Sequence, residues 1–131
     1  MRLPADLYQA IKRHALDTAP RECVGLVGGF GGDLCAVFPL ENIADDPTDQ
    51  YQVALGDQQV ALQTIANAGL KLCAVYHSHP RAAAVPSLRD IREAFPGIHI
   101  IIGMGKGLVT RAFSITGDPI RKVVEVPLEV G

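Results

Sequence analysis

The most constraining feature of the sequence is the isoleucine-rich run Ile98-His99-Ile100-Ile101-Ile102. A strand with one face in water alternates apolar and polar side chains, and this run shows no such alternation. We therefore expect a strand covered on both faces, which requires a layered fold with helices packed against a sheet. The chain has 131 residues, 48% of them hydrophobic, which is enough for one core. The sequence predicts a single domain over residues 1–131.

Periodicity and turn residues place further elements around this strand. The predicted helices run from Pro4 to before Pro20, from Asp57 as N-cap to Gly69, and from Ser87 to Phe95. The third helix is expected to turn three apolar side chains inward: Leu88, Ile91 and Phe95. The other predicted strands are Glu22–Val27, Leu34–Leu40, Tyr51–Val53, Leu72–Ser78, Val109–Ile115 and Ile120–Val126. The predicted fold class is therefore α/β, a single-domain mixed β-sheet with flanking helices.

Charge and cysteine usage exclude several classes of function. Twelve Lys and Arg against fourteen Asp and Glu give a net charge of −2, whereas nucleic-acid binding needs clustered basic charge. No uncharged apolar run approaches the ~18–20 residues that span a bilayer. Asp6 interrupts any signal-peptide core, so we expect a cytoplasmic protein with neither nucleic acid nor membrane as partner. Cys23, Cys35 and Cys73 form no CxxC pair, and we expect three buried, reduced thiols.

Two histidines stand at the end of one predicted strand, in the sequence Tyr76-His77-Ser78-His79-Pro80. Residues two apart on a strand project to the same face, so His77 and His79 can aim both imidazoles at one point. Zn²⁺ favours neutral imidazole nitrogens, and a catalytic zinc site has three protein ligands and a water. Taken alone, the pair is equally compatible with histidines that face solvent or make structural hydrogen bonds. His14 and His99 are isolated in apolar patterns and are expected to be structural.

A carboxylate in the next predicted helix is the natural third ligand. Asp90 lies in the first turn of that helix, which a tight loop can bring back beside the histidine strand. Ser87 and Asp90 also have the spacing of a helix capping box, a purely structural arrangement. Glu22, at the start of an apolar strand, is the candidate for a base that accepts a proton from a metal-activated water. By itself, it is also compatible with a solvated acid or an ion-pair partner.

Taken together, these residues resemble the JAMM/MPN zinc metalloprotease family, and the chain is about the size of its bare catalytic domain. The matching motifs are Pro20-Arg21-Glu22-Cys23-Val24-Gly25-Leu26, His77-Ser78-His79-Pro80 and Ser87-x-x-Asp90, with seven residues between His79 and Ser87. The small prokaryotic members are also matched by Leu40-Glu41-Asn42, Asp46-Pro47 and Tyr51. The resemblance implies the cytidine-deaminase-like fold of that family.

The resemblance also implies a role for each residue of the motif. His77, His79 and Asp90 would be the Zn²⁺ ligands, with water as the fourth. Glu22 would be general base toward that water and then general acid toward the leaving amine. Ser87 would donate its hydroxyl to the tetrahedral oxyanion. No required position departs from the pattern, which disfavours the metal-free scaffold members of the family.

The activity implied by the resemblance is hydrolysis of an amide or isopeptide bond after the C-terminal Gly-Gly of a ubiquitin-like or sulfur-carrier protein. The short spacing between His79 and Ser87 leaves no room for the insertions that grip a second ubiquitin, which favours a small substrate. One alternative is a catalytically silent MPN-type binding module for a ubiquitin-like partner. Another is a cysteine hydrolase using Cys23, which burial in an apolar strand disfavours. The oligomeric state is left open, and a homo-oligomer is compatible with the sequence.

Overall fold

The fold is built around a mixed β-sheet. A computed structural model describes residues 1–131. The three helices are α1 (Ala5–Thr18), α2 (Leu55–Asn67) and α3 (Leu88–Glu93). The strands are β1 (Arg2–Leu3), β2 (Val24–Phe30), β3 (Asp33–Leu40), β4 (Lys71–His79), β5 (Gly97–Gly103), β6 (Val109–Thr116), β7 (Lys122–Val126) and β8 (Glu129–Val130).

Six of these strands form the main sheet, in the order β3-β2-β4-β5-β6-β7. Strands β4 and β5 pair in parallel through the crossover that contains α3, and the other neighbours are antiparallel. The short strands β1 and β8 pair separately, so the two ends of the chain lie side by side. The isoleucines Ile100, Ile101 and Ile102 of β5 are fully buried, which confirms a strand covered on both faces.

Helices cover both faces of the sheet. On one face, Leu7 and Ile11 of α1 lie in the same core cluster as Tyr76 of β4. On the other face, Ile65 of α2 packs in a second cluster with Val75 of β4. Since successive strand residues point to opposite faces, the histidines of β4 project to the α2 face. None of the three helices is long and apolar enough to cross a membrane.

Gly25 of β2 explains how the largest core side chain fits between the layers. A Cβ at this position would overlap the ring of Tyr76, so the glycine provides the space that the ring occupies. The Tyr76 hydroxyl reaches His14 of α1, with 2.8 Å between its oxygen and Nδ1. His14 is therefore structural, as predicted. His99 is structural as well, because its Nε2 lies 2.8 Å from the carbonyl oxygen of Phe95 and ties the end of the α3 segment to β5.

Several predicted elements differ from the structure. The strand predicted over Glu22–Val27 begins at Val24 and continues to Phe30, so Glu22 lies before it. Helix α2 begins after Ala54, and Asp57 lies in its first turn instead of at the N-cap. Residues 51–53 form no strand, because the Gln52 amide donates its hydrogen bond to the side-chain oxygen of Asn42 instead of to a neighbouring strand. Helix α3 ends at Glu93, before Phe95, and a residue that precedes proline is sterically pushed out of helical conformation.

Several side chains are also more exposed than predicted. Leu88 and Phe95 are 80% and 60% exposed, because α3 has only six residues and cannot bury a full apolar stripe. Cys35 is exposed on the edge strand β3, and Cys73 is half-buried near the start of β4. Cys23 is buried as predicted.

Candidate metal centre

The end of strand β4 is held in the middle of the sheet, between β2 and β5. His77 pairs with Val24 of β2 on one side and with Ile101 of β5 on the other. Beyond this pair, the buried Ser78 hydroxyl accepts a hydrogen bond of 2.8 Å from the amide of Cys23. This side-chain contact, on the face opposite the histidines, fixes the end of β4 against the segment that precedes β2.

Three side-chain atoms converge at this strand end. His77 Nε2 lies 3.1 Å from His79 Nε2 and 3.2 Å from Asp90 Oδ2. His79 Nε2 lies 3.0 Å from the same carboxylate oxygen. Ligands held about 2.0–2.1 Å from a tetrahedral zinc ion are separated from one another by about 3.3 Å. The spacing of these three atoms therefore suits a tetrahedral zinc centre with a fourth position left for water.

The protonation pattern supports the same fit. His79 Nδ1 lies 2.9 Å from the carbonyl oxygen of Ala83, which accepts and cannot donate. Nδ1 therefore carries a proton, and in the neutral ring Nε2 has a lone pair free to bind a metal ion. Two acceptors 3.0 Å apart repel each other unless a cation or a proton lies between them. A carbonyl that fixes the tautomer of a ligand histidine is a common feature of zinc sites.

Burial and hydrogen bonding set the charges of the three groups. Burial lowers the pKa of His77, although Asp90 acts in the opposite direction. Burial also acts to lower the pKa of His79, but hydrogen bonds to Asp90 and Ala83 outweigh it and raise that pKa. Burial acts to raise the pKa of Asp90, but hydrogen bonds from both imidazoles hold it well below its usual range. With His77 neutral and Asp90 ionised, these two groups are in the protonation states that metal ligation requires.

Helix α3 presents Asp90 to the histidines through a capping box. The Ser87 hydroxyl oxygen accepts from the Asp90 amide at 3.0 Å, and Asp90 Oδ2 accepts from the Ser87 amide at 2.9 Å. Ser87 and Asp90 therefore form the helix capping box that their spacing predicted. This cap does not prevent either side chain from taking part in a reaction. Because the serine oxygen accepts in this bond, its O–H proton is still available to donate.

Glu22 lies beside the converging atoms. It precedes β2 by two residues, and the Val24–His77 pair places it opposite His79 in the antiparallel register. Its carboxylate lies within 4.8 Å of both ligand nitrogens, and the side chain is buried with no partner for Oε1. Burial raises the pKa of Glu22 to about 7, and nearby acids add to this effect while His79 opposes it. A carboxyl group with a pKa near neutrality is suited to accept and return a proton.

Asn42 is a functional residue whose part sequence reasoning missed. Its amide nitrogen donates to the carbonyl oxygens of Glu22 and Gln50, both at 3.0 Å, and its side-chain oxygen accepts from the Gln52 amide at 3.1 Å. The Glu22 amide also donates to the Pro47 carbonyl at 2.7 Å. Both backbone groups of Glu22 are thus held by the connection between β3 and α2. The sequence offered two signals: the position of Asn42 in an Asp- and Pro-rich connection, and its place in the Leu40-Glu41-Asn42 match to the family.

Replacing Asn42 by Ala should destabilise the protein by about 1–3 kcal/mol, because several backbone groups lose a partly buried partner. The free energy of unfolding, measured by urea denaturation, tests this expectation. Asn67→Ala is the matched control, since Asn67 is exposed at the end of α2 and bonds only Gln63 through its side chain. Equal destabilisation by the two substitutions would contradict the role assigned to Asn42.

Tyr51 packs directly against a candidate ligand. Its ring lies 4.9 Å from the ring of His77, centroid to centroid, at an angle of 34°. Burial raises the pKa of Tyr51, so the phenol stays neutral. The prediction that Tyr51 packs is thus correct, but its contact with a ligand follows only from the folded connection. Burial also raises the pKa of Cys23 to about 11, which leaves little thiolate at neutral pH and disfavours the cysteine-hydrolase alternative.

Two cavities of different character flank the three converging atoms. A cavity of about 260 Å³ lies on the α2 side and is largely apolar, with contributions from Val24, Leu26, Tyr51 and Val75, and with Asp90 at its border. A second cavity, of about 240 Å³, is lined mainly by polar and charged residues. It is lined by Glu22, Thr48, Asp49, His79, Pro80, Arg81, Ala82 and Ser87. The predicted base, one predicted ligand and the predicted hydroxyl donor therefore border one common space.

Residues 4–116 match the family described as prokaryotic homologs of the JAB domain, and the chain belongs to this family. It is 39% identical over 92 residues to a "Probable TtuB-protein conjugate cleaving protease" of Thermus thermophilus, a match that covers 70% of this chain and 62% of the length of that relative. It is 32% identical over 128 residues to the "Desampylase" of Haloferax volcanii, covering 92% and 91% of the two chains.

Solved structures show the same architecture. A protein from Desulfitobacterium hafniense superposes with a TM-score of 0.86 at 28% identity, covering 100% of this chain and 93% of that one. A JAB1/MPN domain protein from Archaeoglobus fulgidus shares the fold at 21% identity, with a TM-score of 0.65 and coverage of 100% and 97%. The predicted family and the predicted α/β fold are confirmed. The class that family and named relatives define is a JAMM-type metalloprotease or isopeptidase.

Proposed function

We propose that residues 1–131 act as a single catalytic JAMM/MPN domain that uses zinc to hydrolyse an amide or isopeptide bond. The proposed substrate is a ubiquitin-like or sulfur-carrier protein in the cytoplasm, cleaved after its C-terminal Gly-Gly. The observation that carries the proposal is the convergence of His77, His79 and Asp90 within 3.2 Å of one another, beside a buried carboxyl group. The printed names of the two relatives, a conjugate cleaving protease and a desampylase, support the substrate class.

Each side chain has a distinct part in the proposed reaction. His77, His79 and Asp90 hold Zn²⁺, which when bound acts as a Lewis acid and lowers the pKa of a coordinated water to about 7. Glu22 accepts a proton from the attacking water at its carboxylate and delivers it to the amine nitrogen as the C–N bond breaks. Ser87 donates its hydroxyl proton to the oxygen of the former carbonyl, where negative charge develops.

The surroundings of the site fit an extended, side-chain-poor tail. The apolar cavity beside Asp90 offers a surface for the residues that precede Gly-Gly. Seven residues separate His79 from Ser87, and they form a short loop with no inserted domain. Gly103 of β5 lets this loop pack closely, because a Cβ there would overlap the backbone of Ala84.

The test is incubation of the zinc-loaded protein with carrier proteins extended or conjugated through their C-terminal Gly-Gly. Mass spectrometry should show release of a carrier that ends in Gly-Gly. A matched set in which Gly-Gly is replaced by Val-Val should not be cleaved, since the proposed substrate is recognised by two residues without side chains. No cleavage of any carrier by protein with bound zinc would contradict the substrate class.

Replacing Ser87 by Ala should lower kcat by about 10²–10³-fold, because one donor to the oxyanion is lost. The same change removes the helix cap of α3 and should cost about 0.5–2 kcal/mol of stability. Ser87→Thr keeps both the hydroxyl and the cap, and is expected to retain most of the activity and stability. Measuring kcat and unfolding for the two variants separates the two effects. A Ser87→Ala variant with unchanged kcat would remove this residue from the mechanism.

A further inference from the structure

We propose that Asp49 selects substrates that carry a basic side chain on the amine side of the scissile bond, and that Arg81 occupies Asp49 between turnovers. This inference rests on the proposed function and assigns a specificity-determining residue to it. It follows from the contrast between the two cavities, from the position of Asp49 in the polar one, and from the weakness of its contact with Arg81.

The contrast between the cavities assigns a direction to the substrate. The polar cavity is lined by Glu22 and Ser87. In the proposed reaction, Glu22 protonates the leaving nitrogen and Ser87 contacts the carbonyl oxygen. The buried and unpartnered Oε1 of Glu22 borders this same space and needs a ligand group as partner. The apolar cavity suits the acyl segment that ends in Gly-Gly. The segment released with the amine therefore occupies the polar cavity.

Asp49 is the acid of the β3–α2 connection that lines the polar cavity. The neighbouring Asp46 carboxylate is engaged locally, because it accepts a hydrogen bond of 2.9 Å from the Thr48 hydroxyl. Asp45 is exposed and does not border the cavity. Close to a buried carboxyl group and with few apolar neighbours, Asp49 favours a positively charged group in this space.

Arg81 holds this position in the free protein. Its Nη2 lies 3.6 Å from Asp49 Oδ1, and the two side chains are 67% and 72% exposed. An exposed pair with this separation adds little to stability, so another cation can replace the guanidinium. Arg81 also lines the polar cavity, in the loop that follows His79. A lysine or arginine of the substrate, on the amine side of the scissile bond, has the positive charge that pairs with Asp49.

Competition between two carriers tests this inference. Both are extended after Gly-Gly, one by Ala-Lys-Lys and the other by Ala-Gln-Gln, and kcat/KM is measured for each at low ionic strength. The wild-type protein should favour the lysine carrier by about 2–5-fold, the range that an exposed ion pair supplies. Asp49→Asn should bring this ratio to about 1, and Arg81→Ala should raise it above the wild-type value.

The ratio isolates recognition from catalysis. Asp49 also contributes to raising the pKa of Glu22, but this affects both carriers equally and cancels in the ratio. Asp45→Asn is the matched control and should leave the ratio unchanged. A ratio near 1 in the wild-type protein, or an unchanged ratio in Asp49→Asn, would overturn this inference and leave the proposed function intact. Cleavage of neither carrier would contradict the proposed function, and this inference with it.

Discussion

The Glu22→Gln variant is expected to fold and bind zinc like the wild-type protein while its turnover falls by about 10²–10⁴-fold. Glutamine has nearly the same size as glutamate, so the buried position opposite His79 stays filled. Its amide cannot accept a proton from the attacking water or return one to the leaving amine. The measurements are kcat on a Gly-Gly-extended carrier, zinc content, and the unfolding midpoint.

The same variant separates the hydrolase from the silent binding module. A binding module has no need for a buried carboxyl group without a partner, because such a group costs stability wherever it is ionised. In the module, Glu22→Gln would therefore stabilise the protein and leave partner binding unchanged, with no turnover to lose. Turnover by Glu22→Gln equal to that of the wild-type protein would remove Glu22 from the mechanism.

Removal of zinc by a chelator should abolish turnover and lower stability. Without the ion, His79 Nε2 and Asp90 Oδ2 lie 3.0 Å apart and share only a proton in place of the metal. A ligand that binds only the folded state at 100 times its Kd stabilises that state by about 2.7 kcal/mol, so the unfolding midpoint should drop when the metal is removed. Zn²⁺ should restore both properties, and Mg²⁺ should not, because Mg²⁺ prefers oxygen ligands.

Thiol alkylation is the control for chelation. The exposed Cys35 can be modified, whereas Cys23 is buried with its pKa raised by burial to about 11. Alkylated protein should therefore keep its turnover and its sensitivity to chelators. Full turnover by metal-free protein, or loss of turnover on alkylation with the zinc retained, would contradict a metal-dependent reaction.

Local patterns predicted much of the fold. The missing alternation in Ile98–Ile102 identified a strand covered on both faces, and the spacing of two between His77 and His79 placed their side chains on one face. These inferences succeed because they depend on the period of a strand alone. The predicted boundaries of α3 were less accurate, because a helix of six residues is too short to show a reliable helical period.

The convergence of the site depends on contacts that local patterns do not contain. Glu22 reaches the histidines because β2 lies antiparallel to β4 with Val24 opposite His77, and such a register is set by the whole sheet. The positioning bonds of Asn42 require the connection between β3 and α2 to fold back on Glu22. The resemblance to a known family supplied these long-range relations at the sequence level. The roles of the individual side chains stay predictions.

The zinc content of the purified protein tests the central claim most directly. Measured by mass spectrometry of metals after exposure to Zn²⁺ and removal of excess ion, wild-type protein should contain about one zinc per chain. His77→Ala should contain far less, because one of three converging ligand atoms is gone. His14→Gln, a change at a structural histidine that contacts Tyr76, should keep the wild-type content. Wild-type protein without zinc, or His77→Ala with the same content, would contradict the account.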